Sequence, residues 1–139
     1  MLPGTRREAR ERVLSLLYEA ESKGTSPGRV LDDLPVRPAE FVCDLVRGVD
    51  QRQIEIDALI AKHSIGWSVD RMPVVDRALL RMSTYELLAR PDVPTGVVIS
   101  EAVELAGEYS TDESGRFVNG VLAAIAIEAR GDPSQPPTR

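Results

Sequence analysis

Apolar residues recur every three or four positions along nearly the whole chain, which is the spacing of an α-helix that packs on a core. The opening segment shows this pattern with the apolar residues Ala9, Val13, Leu16 and Ala20. Thr5 and Glu8 stand at the spacing of a capping box, which predicts that a helix begins there. No segment keeps the two-residue alternation of a strand, so we expect an all-α protein without a sheet.

Glycine and proline interrupt this pattern and divide the chain into about seven helices. The predicted helices cover about 6–22, 27–33, 38–63, 68–71, 73–89, 96–109 and 115–129. Short connections favour antiparallel packing, here into two packed helical bundles. The break at Gly66-Trp67-Ser68 predicts sub-bundles of about 5–64 and 67–130 within a single domain, 1–130. The segment 131–139 has no apolar anchor, so we expect a disordered tail.

Charge is distributed unevenly along the chain. Residues 1–12 carry four arginines against two glutamates, whereas the 139-residue chain has a net charge of −5. This asymmetry indicates a basic edge on an acidic body, although a solvated helix of mixed charge explains it equally well. The single cysteine excludes an intrachain disulfide, and no apolar run approaches the roughly 20 residues of a membrane-spanning helix. We expect a cytoplasmic protein that does not enter a membrane.

The residues that usually carry catalysis are sparse. His63 is the only histidine and Cys43 the only cysteine, so neither a clustered zinc site nor a nucleophilic triad is indicated. Glu101, Glu104 and Glu108 share one helix face, but the opposite face is apolar, so a solvated acidic row is the simpler interpretation. We therefore expect no enzymatic activity, no metal site and no cofactor.

The first helix carries a second row of residues beside its core stripe. On a helical wheel this row consists of Arg7, Arg10, Leu14 and Tyr18, and Arg6 lies next to Arg10. Arginine forks onto phosphate oxygens and tyrosine stacks on unpaired bases, so the row is suited to single-stranded RNA. The alternative is that the tyrosine and leucine extend the core and the arginines lie along it with their charged ends in solvent.

Four groups of residues, in order along about 6–127, resemble the NusB family of bacterial transcription antitermination factors. They are Arg6-Arg7-Glu8-Ala9-Arg10-Glu11 with Leu16-Leu17-Tyr18, Asp76-Arg77-Ala78-Leu79-Leu80-Arg81 with Tyr85-Glu86-Leu87, Asp92-Val93-Pro94 with Ile99-Ser100-Glu101-Ala102-Val103-Glu104-Leu105-Ala106, and Phe117-Val118-Asn119-Gly120-Val121-Leu122. Each group is a weak signature alone, and together they are specific.

The resemblance implies an all-α fold of two packed bundles and a factor that binds boxA RNA of ribosomal RNA transcripts. It also implies a heterodimer with the small-subunit ribosomal protein called NusE, which joins an antitermination complex on RNA polymerase and promotes processive transcription. The RNA contacts that it implies are Arg6, Arg7, Arg10, Tyr18, Arg116 and Phe117. Glu8 departs from the pattern, because some family members carry a basic residue there, so RNA binding by the isolated chain is expected to be weak.

The helix over 73–89 is apolar on two sides, which is typical of a central core helix or of one docked to a partner. The resemblance favours partner contact through Asp76, Arg77 and Leu80, near Trp67. A different function stays open from the residues alone: a helical protein–protein adaptor, or a homodimer whose interface masks the RNA site.

Overall fold

The computed structural model describes residues 5–131, and all regular structure in that range is helical. The prediction of an all-α fold is therefore confirmed, whereas the tail predicted over 131–139 lies, except for Gly131, outside the described residues. The helices are α1 (Arg6–Lys23), α2 (Pro27–Asp32), α3 (Glu40–Gln51), α4 (Gln53–His63), a single 3-10 turn (Val69–Arg71), α5 (Val74–Ala89), α6 (Thr95–Tyr109) and α7 (Asp112–Arg130).

Local sequence signals account for most of the helix ends. The Thr5 side chain accepts a hydrogen bond from the Glu8 amide while the Glu8 carboxylate accepts one from the Thr5 amide, which completes the predicted capping box of α1. Gly24 ends α1 with a positive φ of 63°, a conformation that glycine adopts without a steric penalty. The Ser26 and Thr111 side chains accept hydrogen bonds from the amides of Arg29 and Ser114 and so cap α2 and α7.

The long helix predicted over 38–63 is divided at Arg52, whose φ of −113° and ψ of 22° leave the helical range. The apolar stripe runs on across the break, since Val49 and Ile56 are seven residues apart and both are buried. Periodicity alone therefore indicated one helix. The break lets the two halves take different neighbours: α3 packs on α1, α2 and α5, whereas α4 packs mainly on α5 and α7.

Gly48 sets the distance between α3 and α5. A Cβ added at Gly48 would lie 2.1 Å from the ring of Tyr85, so the two helices approach through the missing side chain. The Tyr85 hydroxyl donates a 2.7 Å hydrogen bond to Asp44. Burial, followed by this bond to a carboxylate, raises the pKa of Tyr85 to about 12.

Helix α5 occupies the centre of the fold and packs against α1, α3, α4, α6 and α7. It is buried on several sides, with Leu79, Leu80 and Met82 almost without exposed surface. Helices α1–α3 pack on one another, and so do α6 and α7, and both groups contact α5. Of the helices in the described range, none combines the length and the apolar character that a membrane crossing requires.

Candidate nucleic-acid interface

Three arginines surround the ring of Phe41 at the start of α3. The guanidinium carbons of Arg6, Arg10 and Arg90 lie 4.1, 5.3 and 5.0 Å from the ring centre, each within cation–π distance. Phe41 is buried, whereas Arg6 is exposed. Arg6 is thus the exposed member of this cluster: its charge faces solvent while its guanidinium rests on the Phe41 ring.

Arg10 lies in the interior, and only 3% of it is exposed. Its Nε and one terminal nitrogen donate hydrogen bonds of 3.0 and 2.7 Å to the two carboxylate oxygens of the buried Glu86 on α5. This differs from the sequence prediction of Arg10 as an RNA contact. The reason is that the face of α1 that packs on α5 is wider than the apolar stripe, so a paired charge takes a core position.

Arg7 is partly exposed and points towards α6. Its guanidinium lies 3.5 Å from Glu101, 3.2 Å from Glu104 and 3.0 Å from Glu108. The hydrogen bond to Glu108 is the main cause that raises the pKa of Arg7 above its ordinary value. The row of glutamates therefore holds this arginine, and an anionic ligand has to compete with three carboxylates for it.

Tyr18 is 49% exposed and lines a cleft together with a second tyrosine, from α6. Tyr109, which is 48% exposed, lines the same cleft of about 400 Å³. Leu14 and Val75 form apolar parts of its lining, together with Ser15 and Glu11. Tyr109 belongs to the apolar face predicted for the helix over 96–109, so the sequence did not indicate a surface residue there. No local pattern reports which helix stands opposite.

The start of α7 carries the remaining predicted RNA residues. Arg116 is exposed, and the partly buried Phe117 packs edge-to-face on Trp67 with ring centres 5.2 Å apart. Trp67 is 38% exposed and was predicted on the partner surface. The structure therefore joins one residue predicted for RNA to one predicted for the protein partner, although 50 positions separate them in the chain.

The other residues predicted to contact a partner are buried. Asp76 accepts a 2.8 Å hydrogen bond from Ser114 on α7, and Leu80 has no exposed surface. Arg77 donates hydrogen bonds to the carbonyl oxygens of Val69 and Met72 and pairs with Glu21, so it holds the 3-10 turn against α5 and α1. These three residues lie in the interior because α5 is a central helix whose two apolar sides meet other helices, and their contact with a partner stays a prediction.

Metal ligands do not cluster within residues 5–131: no group of three or more His, Cys, Asp or Glu side chains there is placed to hold a metal ion. His63 Nε2 instead lies 2.8 Å from a carboxylate oxygen of Glu128, which Lys62 also contacts at 2.9 Å. The candidate surface consists of arginines, aromatic rings and the carboxylates that pair with the arginines.

Comparisons with known proteins agree on one family. The model of the NusB family matches residues 7–127. The transcription antitermination protein NusB of Kineococcus radiotolerans is 50% identical over 125 residues, which cover 87% of this chain and 92% of that protein. That of Thermobifida fusca is 45% identical over 128 residues, covering 88% and 89%.

Solved structures show the same relationship. NusB of T. maritima superimposes with a TM-score of 0.83 at 36% identity, covering 91% of this chain and 94% of that one. A chain from a crystal structure of the antitermination factors NusB and NusE with double-stranded RNA superimposes with a TM-score of 0.75 at 32% identity, covering 88% and 96%. The motifs, the helical architecture and these similarities lead to one conclusion: the chain belongs to the NusB family of transcription antitermination proteins.

Proposed function

We propose that this chain binds boxA RNA of ribosomal RNA transcripts together with NusE and that the complex promotes processive transcription by RNA polymerase. The observation that carries the proposal is the 32% identity and TM-score of 0.75 to a chain from the complex of NusB, NusE and double-stranded RNA. The similarity covers 88% of this chain and 96% of that one.

The proposed RNA surface consists of Arg6 and Arg7 on α1, Tyr18 further along the same helix, and Arg116 and Phe117 on α7. The arginines bind phosphate oxygens, and the aromatic rings offer stacking faces to unpaired bases. Arg10 acts from beneath this surface, since its bond to Glu86 fixes α1 on α5. Arg6 is ready for an anion because Phe41 already holds its guanidinium, whereas Arg7 first has to leave its glutamates.

The proposed partner surface centres on Trp67, the residue of the predicted partner set with an exposed ring. Aromatic side chains that are half-buried in a rigid contact are typical anchors of protein interfaces, because little entropy is lost when a partner covers them. The proposed anchor packs against Phe117, which belongs to the proposed RNA surface, and this contact supports adjacent sites for the partner and the RNA. NusE bound there extends the surface available to RNA, which offsets the weak basic character of α1.

A titration of fluorescently labelled boxA RNA tests the proposal. We expect weak binding by this chain alone, tighter binding when NusE is added, and little binding of a scrambled RNA of equal length. Arg29→Ala, which removes an exposed arginine on α2 that pairs with Asp33, serves as a charge-matched control for arginine variants on α1. The proposal is contradicted if light scattering shows a stable dimer and the chain binds no boxA RNA even with NusE. That result supports the homodimer whose interface masks the RNA site.

A further inference from the structure

The cleft between α1 and α6 has walls suited to a flat ring. Tyr18 and Tyr109 each expose about half of their surface at this cleft, and the buried Leu14 and partly buried Val75 complete an apolar lining. We propose that this cleft binds one unstacked nucleobase that carries an exocyclic amino group, with Glu11 as its hydrogen-bond acceptor. The inference rests on the proposed RNA-binding function and assigns it a base-specific subsite.

The size of the cleft fits a small flat ligand. Its volume of about 400 Å³ lies in the range of roughly 300–1,000 Å³ that is typical of small-molecule sites. Half-exposed tyrosines on two different helices offer ring faces, and a base gains free energy by stacking on such faces whatever its identity. The rings therefore account for the capture of a base, and the selection among bases has to come from polar groups.

Glu11 supplies the polar group that discriminates. Its Oε2 accepts a 2.8 Å hydrogen bond from the Tyr109 hydroxyl, which is the main cause that raises the pKa of Tyr109. An ionised carboxylate has about four acceptor sites on its two oxygens, so one bond from a tyrosine leaves capacity for further donors. The tyrosine bond also fixes the carboxylate at the side of the cleft, so the acceptor is oriented before a ligand arrives.

The edges of the four RNA bases differ in what they present to a carboxylate. Adenine and cytosine each carry one amino group, and guanine carries an amino group next to a ring N–H, so that two donors face the same way. Uracil has carbonyl oxygens on both sides of its N–H, and a carboxylate repels them. The cleft is therefore expected to prefer guanine, to accept adenine and cytosine, and to disfavour uracil.

The charge of the cleft excludes an anionic occupant. Glu11 lines it, and along the same face of α1 the nearest arginine, Arg7, already holds Glu101, Glu104 and Glu108. A phosphate or a carboxylate would meet uncompensated negative charge there. An RNA strand satisfies both regions when its phosphates contact the arginines at the start of α1 and one of its bases turns into the cleft.

The test uses this chain with NusE and labelled boxA RNA. Tyr109→Leu removes one wall, and we expect about a tenfold loss of RNA affinity, in line with the loss of one base–aromatic contact. Tyr109→Phe keeps the wall and releases Glu11, so affinity should stay near that of the unmodified chain while discrimination between bases weakens. Melting curves of both variants check that the fold is retained.

Base selectivity is measured with RNAs in which each amino-bearing base is replaced in turn, guanosine by inosine, and cytidine or adenosine by uridine. At one position of the RNA, the replacement should lower the affinity for the unmodified chain and lower the affinity for Glu11→Gln much less. The difference between the two losses measures the coupling between that base and Glu11. Glu19→Gln makes the same charge change on α1 outside the cleft, so replacing the base at this RNA position should still lower the affinity of that variant.

The outcomes separate this inference from the function on which it rests. If the unmodified complex binds no boxA RNA, both the proposed function and the base site are overturned. If it binds RNA and Tyr109→Leu changes neither affinity nor base preference, only the base site is overturned. If Tyr109→Leu weakens the association with NusE measured without RNA, the cleft receives a side chain of the protein partner, which also overturns the base site.

Discussion

Removal of the guanidinium of Arg10 should destabilise the protein strongly, because it leaves Glu86 buried without its partner. Only 3% of the Arg10 side chain and 1% of the Glu86 side chain are exposed, and two short hydrogen bonds join them. Breaking one side of such a buried pair costs about 3–5 kcal/mol. For a domain of this size each kcal/mol lowers the melting temperature by about 4 °C, so Arg10→Met should melt about 12–20 °C lower.

Thermal unfolding followed by circular dichroism near neutral pH measures this effect. Arg7→Met is the matched control, because Arg7 is partly exposed and pairs with exposed glutamates, and loss of a surface pair costs about 1 kcal/mol or less. The double variant Arg10→Met with Glu86→Leu removes both charges and should recover much of the lost stability. Equal melting temperatures for Arg10→Met and Arg7→Met would refute a structural role for Arg10 and return it to the RNA-contacting set.

Three further predictions follow from contacts elsewhere. Glu108→Gln loosens the hold on Arg7 and should tighten RNA binding several-fold in an anisotropy titration; unchanged or weaker binding would mean that Arg7 does not meet phosphate. Gly48→Ala places a methyl group against the Tyr85 ring and should cost about 1–3 kcal/mol in chemical denaturation; unaltered stability would contradict the close approach. A hydrogen bond from Lys62, followed by one from His63, lowers the pKa of Glu128 below its ordinary value of 4.5. Glu128→Gln should therefore destabilise the protein at neutral pH, and this loss of stability should disappear as the pH falls through the lowered pKa. A loss that does not change with pH would exclude the carboxylate charge as its cause.

Much of the fold is readable from the sequence, because helix signals are local. The capping box at Thr5 and Glu8, the proline that opens α2 and the helical spacing of apolar residues each depend on neighbours a few positions apart. The division at Arg52 is not of this kind. The break depends on which helices α3 and α4 pack against, and the apolar spacing is the same before and after Arg52.

The candidate site was harder to predict, because it depends on pairs that are distant in sequence. A helical wheel assigns Arg7 and Arg10 to one row. In the structure, Arg10 is buried in an ion pair with Glu86, whereas Arg7 pairs with glutamates of α6 at the surface. Nothing local distinguishes these two environments. The contact of Trp67 with Phe117 and the cleft that Tyr18 and Tyr109 line likewise arise only when α1, α6 and α7 have packed.

The dependence of RNA affinity on salt tests the central claim, that the exposed arginines of α1 and α7 contact RNA phosphates. The affinity of the complex with NusE for boxA RNA is measured from low to moderate salt for the unmodified chain and for Arg6→Ala with Arg116→Ala. Each phosphate contact to a single strand contributes about 0.7 to the slope of log affinity against log salt, so the double variant should bind less tightly with a slope shallower by about 1.4. A slope and an affinity equal to those of the unmodified chain and of Arg29→Ala would contradict the account.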